Sequence, residues 1–308
     1  MFENAASLSL GDHVEKAWPF TDRPLDSLHL ADFSTPIATI YGAEMADNIR
    51  AMAVWCEERN LSLAPHGKTT MAPSIWQLQL DAGAWAITVA TAAQLRVARA
   101  AKVPRVVVAN EFVDPVALAW TYAELEADPG WDVVCWVDSL EGVALMAAQH
   151  DGRSRPLDVC VELGYQDARS GARSLPQLLE IAHAVIATPA LRLVGVAGYE
   201  CVITESAEAS EITLVDGYLN RLLEAYLSVL PLCETDETIV SAGGSAYFDR
   251  VHAILGPLVD ETSESRTTRV VVRSGVYVVH DNGIYERIAP HRRGEGPRLT
   301  AAMRVWAR

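Results

Sequence analysis

The sequence lacks the patterns that mark disulfide scaffolds, metal clusters and membrane proteins. Its five cysteines, Cys56, Cys135, Cys160, Cys201 and Cys233, stand singly, with no C-x-x-C pair. Most lie in apolar stretches, so reduced thiols in a cytoplasm are expected. No H-x-x-x-H spacing occurs either, so no metal site is read from spacing. No apolar run reaches bilayer-spanning length. The opening MFENAASLSLGDHVEK has no basic stretch followed by an apolar one, so no secretory leader is expected. Positive charge is scarce: 25 Lys and Arg against 40 Asp and Glu leave a net charge of −15. That balance argues against nucleic acid and acidic membrane surfaces as partners. It does not exclude a phosphate group, which backbone N–H groups can hold locally.

The chain has 308 residues and is half apolar, enough for a barrel-sized domain and a smaller one. Apolar runs and helical patterns alternate regularly along it. Expected strands are Pro36–Tyr41, Leu61–Ala64, Trp85–Ala90, Arg105–Asn110, Asp132–Val137, Leu157–Leu163, Leu191–Tyr199, Thr238–Ala242 and Thr268–Ser274. Runs such as VVVAN and DVCVEL suit a parallel sheet covered on both faces. Ala43 to Arg59 reads as a helix with Met45, Ile49, Met52 and Trp55 or Cys56 on one face. Thr91 with Gln94, Asp138 with Glu141 and Ser174 with Gln177 read as capping pairs. The polar stretch Val259 to Thr268 reads as a surface loop. Eight alternating units from Leu61 onward predict a (β/α)8 TIM barrel, an open doubly wound sheet being the alternative.

The most informative stretch is Leu61 to Gln94. Lys68 stands at the end of its first strand, in HGKTTMAP, among small and apolar residues. The carboxyl ends of strands form the reactive face of parallel α/β folds. A partly desolvated lysine there has a lowered pKa and a nucleophilic amine, suited to forming a Schiff base. The bland alternative is an ordinary surface lysine.

APHGKTTMAP followed by LQLDAGAWAITVAT resembles the cofactor-lysine segment of the fold-type III pyridoxal-phosphate enzymes. These include alanine racemase, D-threonine aldolase and D-serine dehydratase, and the amino acid deaminase branch is the most similar. The resemblance runs from about Thr35 to Tyr285. It implies that pyridoxal 5'-phosphate is carried on Lys68. It assigns the strand Pro36–Tyr41 to a second, β-rich domain. That gives a barrel over residues 42–283 and, from 1–41 and 284–308, parts of a β domain incomplete at its C-terminus.

Later motifs follow in the family's order. Glu162 to Gly171 (ELGYQDARSG) is similar to D-x-G-x-x-R-x-G, which implies Arg169 beside the cofactor's phenolic oxygen; alone, it reads as a surface arginine. Tyr199, in Gly198-Tyr199-Glu200, matches a tyrosine set against the pyridine ring, or is an amphipathic tyrosine at a barrel rim. Ser241-Ala-Gly-Gly-Ser245 offers a glycine-rich phosphate loop through Ser241, Gly243, Gly244 and Ser245, or is an ordinary loop. Arg273-Ser-Gly275-Val276 is similar to R-P-G with serine in place of proline. The resemblance implies Arg273 at the pyridine nitrogen, a place for which Tyr199 competes. It implies phosphate contacts at Gly275 and Val276. His66 either orients the site or satisfies a loop carbonyl. His280 and Asp281 either line the pocket or are polar surface.

The resemblance implies a lyase for D-configured β-hydroxy amino acids such as D-serine or D-threonine, in a homodimer. The alternatives are an amino-acid racemase, or a cofactor-binding protein without turnover. A divalent metal belongs to some relatives, with ligands beyond residue 308, in a longer form of the chain. On that expectation this chain still binds the cofactor at Lys68, while its turnover is weak and not restored by added metal.

Overall fold

A computed structural model describes residues 23–259 and 266–307. Its elements, in chain order, are β1 (Ile37–Ile40), α1 (Gly42–Glu57), β2 (Ser62–Leu63), α2 (Pro73–Asp81), β3 (Ile87–Val89), α3 (Ala92–Ala100), β4 (Arg105–Glu111), α4 (Pro115–Ala127), β5 (Asp132–Val137), α5 (Leu140–Ala147), β6 (Leu157–Leu163), α6 (Leu175–Ile186), β7 (Leu191–Gly198), α7 (Ala209–Val229), β8 (Glu237–Ala242), α8 (Phe248–Leu255), β9 (Thr267–Val272), α9 (Ile284–Ile288) and β10 (Met303–Trp306). Every expected strand is present, and no end is moved by more than two residues. Residues 260–265 of the expected polar loop lie outside the described residues, and Thr267 and Thr268 belong to β9.

Eight parallel strands run in the order β2, β9, β8, β7, β6, β5, β4, β3. The two end strands are joined as well. Trp85 N–H donates to Leu63 O at 2.7 Å, Thr88 N–H to Pro65 O at 2.9 Å, and His66 bridges Thr88 in parallel. These bonds bend the sheet round into a (β/α)8 barrel, as expected. The strand β1 instead pairs antiparallel with β10, Ile37 opposite Trp306 and Ile40 opposite Met303. The returning segment is tied to the barrel through Asn48, whose amide donates to Thr300 O at 2.7 Å and accepts from Thr300 N–H at 2.8 Å.

Period-two alternation along each strand separates two cores. Val107, Val134, Trp136, Cys160, Val194, Ile239 and Val271 fill the barrel interior. Val106, Val108, Val133, Cys135, Val159 and Val161 face outward against the helices. The same inward register carries charge at the amino-terminal mouth. There Arg105 and Arg155 meet Asp132 at 3.0 and 2.8 Å, Arg192 meets Asp158 at 2.6 Å, and Arg269 pairs with Glu237. At the opposite end the inward positions hold Glu162, Ser241 and, just past β9, Arg273.

Helix starts follow local chemistry. Thr91 and Ser174 accept from the N–H three residues on, at 3.3 Å each. Gln94 and Gln177 reach back one residue further than a capping box, to Ala90 N–H and Arg173 N–H. The third cap is one residue away from the expected one. Ser139, not Asp138, accepts from Gly142 N–H at 3.2 Å. Asp138 instead accepts from Gly171 N–H at 3.1 Å, which spends its carboxylate on the loop after β6. Among the described residues no helix is long and apolar enough to cross a membrane.

Candidate functional site

A cavity of about 200 Å³ opens at the carboxyl ends of the barrel strands. It is lined by nine of the residues singled out from sequence: His66, Lys68, Arg169, Tyr199, Gly244, Ser245, Arg273, Gly275 and Val276. Thr69, Asn110, Trp136, Glu162 and Tyr285 complete much of its wall. Lys68 sits on a single 3-10 turn, Gly67–Thr69, which Ala64, Pro65 and His66 join to β2. That turn is pinned from below, because Trp76 Nε1–H donates to Gly67 O at 3.2 Å. The lysine side chain stays open to solvent at the cavity mouth. Partial burial, then the Arg169 and Arg273 guanidinium groups, pull its pKa below the usual lysine range. A larger share of Lys68 is therefore the free amine at neutral pH.

His66 lies beneath it. Burial first, then the positive charges of Lys68, Arg273 and Arg169, push its imidazole down to about 3, so the ring is neutral. Its Nδ1 is buried with no hydrogen-bond partner among the described residues. A neutral buried histidine must take up a proton when the chain unfolds below pH 6.5. Stability it supports is therefore complete above about pH 6.5 and is lost as pH falls toward 3. In the cofactor-free protein, His66→Gln is expected to flatten the acid limb of the stability profile by up to about 1.4 kcal/mol per pH unit. Urea midpoints at pH 4 and pH 7 measure it; an unchanged difference between the two would exclude a neutral His66.

Arg169 lies over the Tyr199 ring, 5.0 Å from its centroid. The loop that carries it is shaped by Arg173, whose guanidinium donates to Tyr165 O, Ser170 O and Ala168 O at 2.8 to 2.9 Å. Tyr199 is held through its backbone: its N–H donates to Tyr218 Oη at 3.0 Å, and that hydroxyl donates to Leu163 O at 2.7 Å. Arg273 is buried against the Trp136 ring, donating to Ser241 Oγ and to Gly198 O at 2.8 Å.

Four residues named from sequence do not line the cavity. Ser241 is fully buried, and its hydroxyl donates to Val271 O at 3.1 Å while accepting from Arg273. It points into the barrel because it is an inward position of β8. Gly243 lies just behind the wall, and its N–H already has an anion. Glu200, fully buried, accepts from Gly243 N–H at 2.9 Å and from Gly244 N–H at 2.7 Å. The glycine amides expected to receive phosphate thus hold a protein carboxylate. His280 is buried and meets Glu286 at 3.2 Å. Asp281 accepts from the N–H groups of Gly283 and Tyr285 at 3.0 Å and starts α9. The pair therefore acts one step away, by placing Tyr285 on the cavity wall.

Sequence reasoning gave no role to Glu200, Glu162 or Glu111. Burial, and then the Glu111 carboxyl in hydrogen-bonding contact, raise Glu162 well above the usual carboxylate range. The signal available was polarity: each is an acidic residue at the end of an otherwise apolar strand.

The arrangement fits pyridoxal phosphate. A nucleophilic amine, two guanidinium groups and an aromatic ring face one cavity of suitable size. At its far end Ser245 Oγ accepts from Val276 N–H at 3.1 Å, leaving a hydroxyl and a turn of backbone near the glycines. A Cβ on Gly244 would lie 2.4 Å from Cys201 Sγ and 3.0 Å from Tyr199 Cε2, so the wall closes on bare backbone there. For a metal the residues do not assemble: among the described residues no three His, Cys, Asp or Glu side chains are grouped to hold an ion.

Comparison with known proteins agrees with this geometry. Residues 40–251 match the model of the alanine racemase N-terminal domain. A D-threonine aldolase from Arthrobacter sp is 26% identical over 230 residues, covering 73% of this chain and 59% of that protein. The chain thus spans less than two thirds of that relative's length. The structure of D-threonine aldolase from Filomicrobium marinum superposes with a TM-score of 0.76 at 21% identity, over 90% of this chain and 70% of the other. D-threo-3-hydroxyaspartate dehydratase from Delftia sp. HT23 gives 0.63 at 24% identity, over 81% and 62%.

Proposed function

Because the chain belongs to the alanine racemase N-terminal domain family, we propose that it is a pyridoxal-phosphate-dependent lyase acting on D-configured β-hydroxy amino acids. The observation that carries the reading is Lys68: a depressed amine at the end of the first barrel strand, sharing one cavity with Arg169, Tyr199, Ser245 and Arg273. Lys68 would hold the cofactor through its amine and take the α-proton of the substrate. Arg169 would face the phenolic oxygen, where a charge-assisted hydrogen bond favours the anion. Ser245 and the backbone at Gly275 and Val276 would hold the phosphate, packed against the bare backbone of Gly244, whose own N–H is taken by Glu200. When bound, the cofactor supplies a sink for the electron pair released at Cα. The D configuration and the β-hydroxyl are suggested by the names of the relatives, an aldolase for D-threonine and a dehydratase for D-threo-3-hydroxyaspartate. The barrel over 42–283, the accessory segments 1–41 and 284–308, a cytoplasmic location and a homodimer belong to the same proposal. Its partners are a small amino acid and a second copy of the chain.

Incubation of the cofactor-loaded protein with D-serine, L-serine and D-threonine tests it. A 2-oxo acid or an aldehyde is expected from the D-compounds alone. Interconversion of D- and L-alanine without either product would point to the racemase instead. No product at all, with cofactor bound, would leave a binding protein.

A further inference from the structure

Among the described residues, Glu162 is the only acidic side chain that lines the cavity. It projects inward from the top of β6 and is 5% exposed. Its partner Glu111 comes from the end of β4, across the intervening β5. Glu162 Oε2 and Glu111 Oε1 are both buried, and neither receives a hydrogen bond. One oxygen of each carboxyl therefore lacks a donor, although the two groups touch. Arg273 does not supply one, because it spends its terminal nitrogens on Ser241 and Gly198. The hydroxyl of Ser170 contacts Glu162 from the loop after β6. The charged groups around Glu162 include Glu111, Arg273 and, on the same cavity wall, Arg169, with the neutral phenol of Tyr218 behind. Two carboxylates in contact repel, and a proton on Glu162 directed at Glu111 supplies the donor that the buried oxygens lack.

We propose that Glu162, holding a proton in common with Glu111, is the acid that protonates the departing β-hydroxyl, so that the chain catalyses β-elimination rather than retro-aldol cleavage. The inference rests on the reading of this cavity as a pyridoxal-phosphate lyase site. In the step, Lys68 accepts the α-proton and the Cα–H electron pair becomes the Cα=Cβ bond. The Cβ–O bond breaks, its electron pair stays on oxygen, and the Glu162 proton converts that oxygen to water. Hydrolysis of the resulting enamine gives the 2-oxo acid and ammonia. Exchange with water returns the proton from Lys68 to the carboxyl pair. Retro-aldol cleavage asks the reverse of the wall, a base that removes the hydroxyl proton; the carboxyl that lines the cavity is Glu162, which presents the proton, while Glu111 stands behind it, off the lining.

A leaving group that needs no proton isolates the role. β-Chloro-D-alanine eliminates chloride, whereas D-serine must lose water. Glu162→Gln keeps the shape and removes the acid. It is expected to lower kcat/KM for D-serine by roughly 100-fold or more, while β-chloro-D-alanine changes less than about threefold. Equal loss for both substrates overturns the acid role. So does turnover of β-chloro-D-alanine but not D-serine by the unmodified protein, or release of aldehyde from D-threonine with no 2-oxo acid. Glu111→Gln, the second variant, should shift the alkaline limb of the D-serine profile to lower pH. An unmoved limb overturns the shared proton. Infrared spectra of the substrate-free protein give a readout apart from turnover. A protonated-carboxyl stretch is expected at neutral pH and should vanish in Glu162→Gln; its absence from the unmodified protein overturns the pair. If the stretch is present but the unmodified protein transforms neither compound, it is the lyase reading that fails.

Discussion

Replacing Lys68 with alanine is expected to abolish covalent cofactor attachment and lower turnover by roughly 10³-fold or more. The size of the effect follows from two tasks falling on one amine. In the proposed function it would hold the cofactor and would take the α-proton. Partial burial and the two guanidinium groups depress its pKa without enclosing it, so the free amine can reach a substrate at the cavity mouth. Lys68→Arg is the informative companion, since it keeps positive charge but cannot form an imine. Loss in both variants, with the fold intact by circular dichroism, identifies the amine rather than the charge. Borohydride reduction of the loaded protein followed by peptide mapping is equally direct. The chain has only three lysines, Lys16, Lys68 and Lys102. A pyridoxyl label on Lys16 or Lys102 instead would refute the assignment. Lys102 lies between α3 and the amino-terminal end of β4, at the end of the barrel opposite the cavity, with a left-handed backbone φ of 59°.

Much of this arrangement was written in the strands. In Asp158-Val-Cys-Val-Glu162 and Arg269-Val-Val-Val-Arg273, alternate residues step from a charged amino-terminal mouth through an apolar middle to a polar residue at the reactive end. Period two therefore placed Arg273 and Glu162 inside before any contact was known. The same rule should have removed Ser241 from the phosphate loop, because it shares the inward register of Ile239. A loop motif obscured a strand pattern. Asp138 reads as a cap because both it and Ser139 are good capping residues, and only backbone geometry chooses between neighbours.

The carboxyl pair was beyond the reach of such patterns. Glu111 and Glu162 lie on strands that do not pair with each other. Their meeting depends on a slip in register, with Val108 opposite Cys135 but Glu111 opposite Trp136. Bulges of this kind set which side chains converge at a barrel rim, and apolar spacing carries no trace of them. The grip of Glu200 on two glycine amides is hidden for a related reason. Glycine-rich loops invite an anion, and sequence does not say whether that anion is a ligand or a neighbouring side chain.

Gly244→Val should separate the cofactor from the fold. The first side-chain atom would fall 2.4 Å from Cys201 Sγ and 3.0 Å from Tyr199 Cε2. Both neighbours are side chains on the turn after β7, and that turn faces the cavity. They can move, at an overpacking cost of about 1–3 kcal/mol. The movement displaces Tyr199 and disturbs the grip of Glu200 on Gly244 N–H, so most of the cost should appear in cofactor binding. Pyridoxal-phosphate affinity is then expected to fall by roughly 10- to 100-fold while the urea midpoint moves little. Gly195→Ala is the contrast. Gly195 has φ of +152°, and its Cβ would lie 1.8 Å from the carbonyl oxygen of Ile239 on the paired strand. Backbone inside a barrel cannot give way as a side chain can, so a loss of roughly 4–5 kcal/mol or outright failure to fold is expected. Fluorescence titration with pyridoxal phosphate and urea unfolding, run on both variants, distinguish the two costs. Unchanged affinity in a folded Gly244→Val protein would show that the phosphate lies elsewhere than against Gly244 and Ser245.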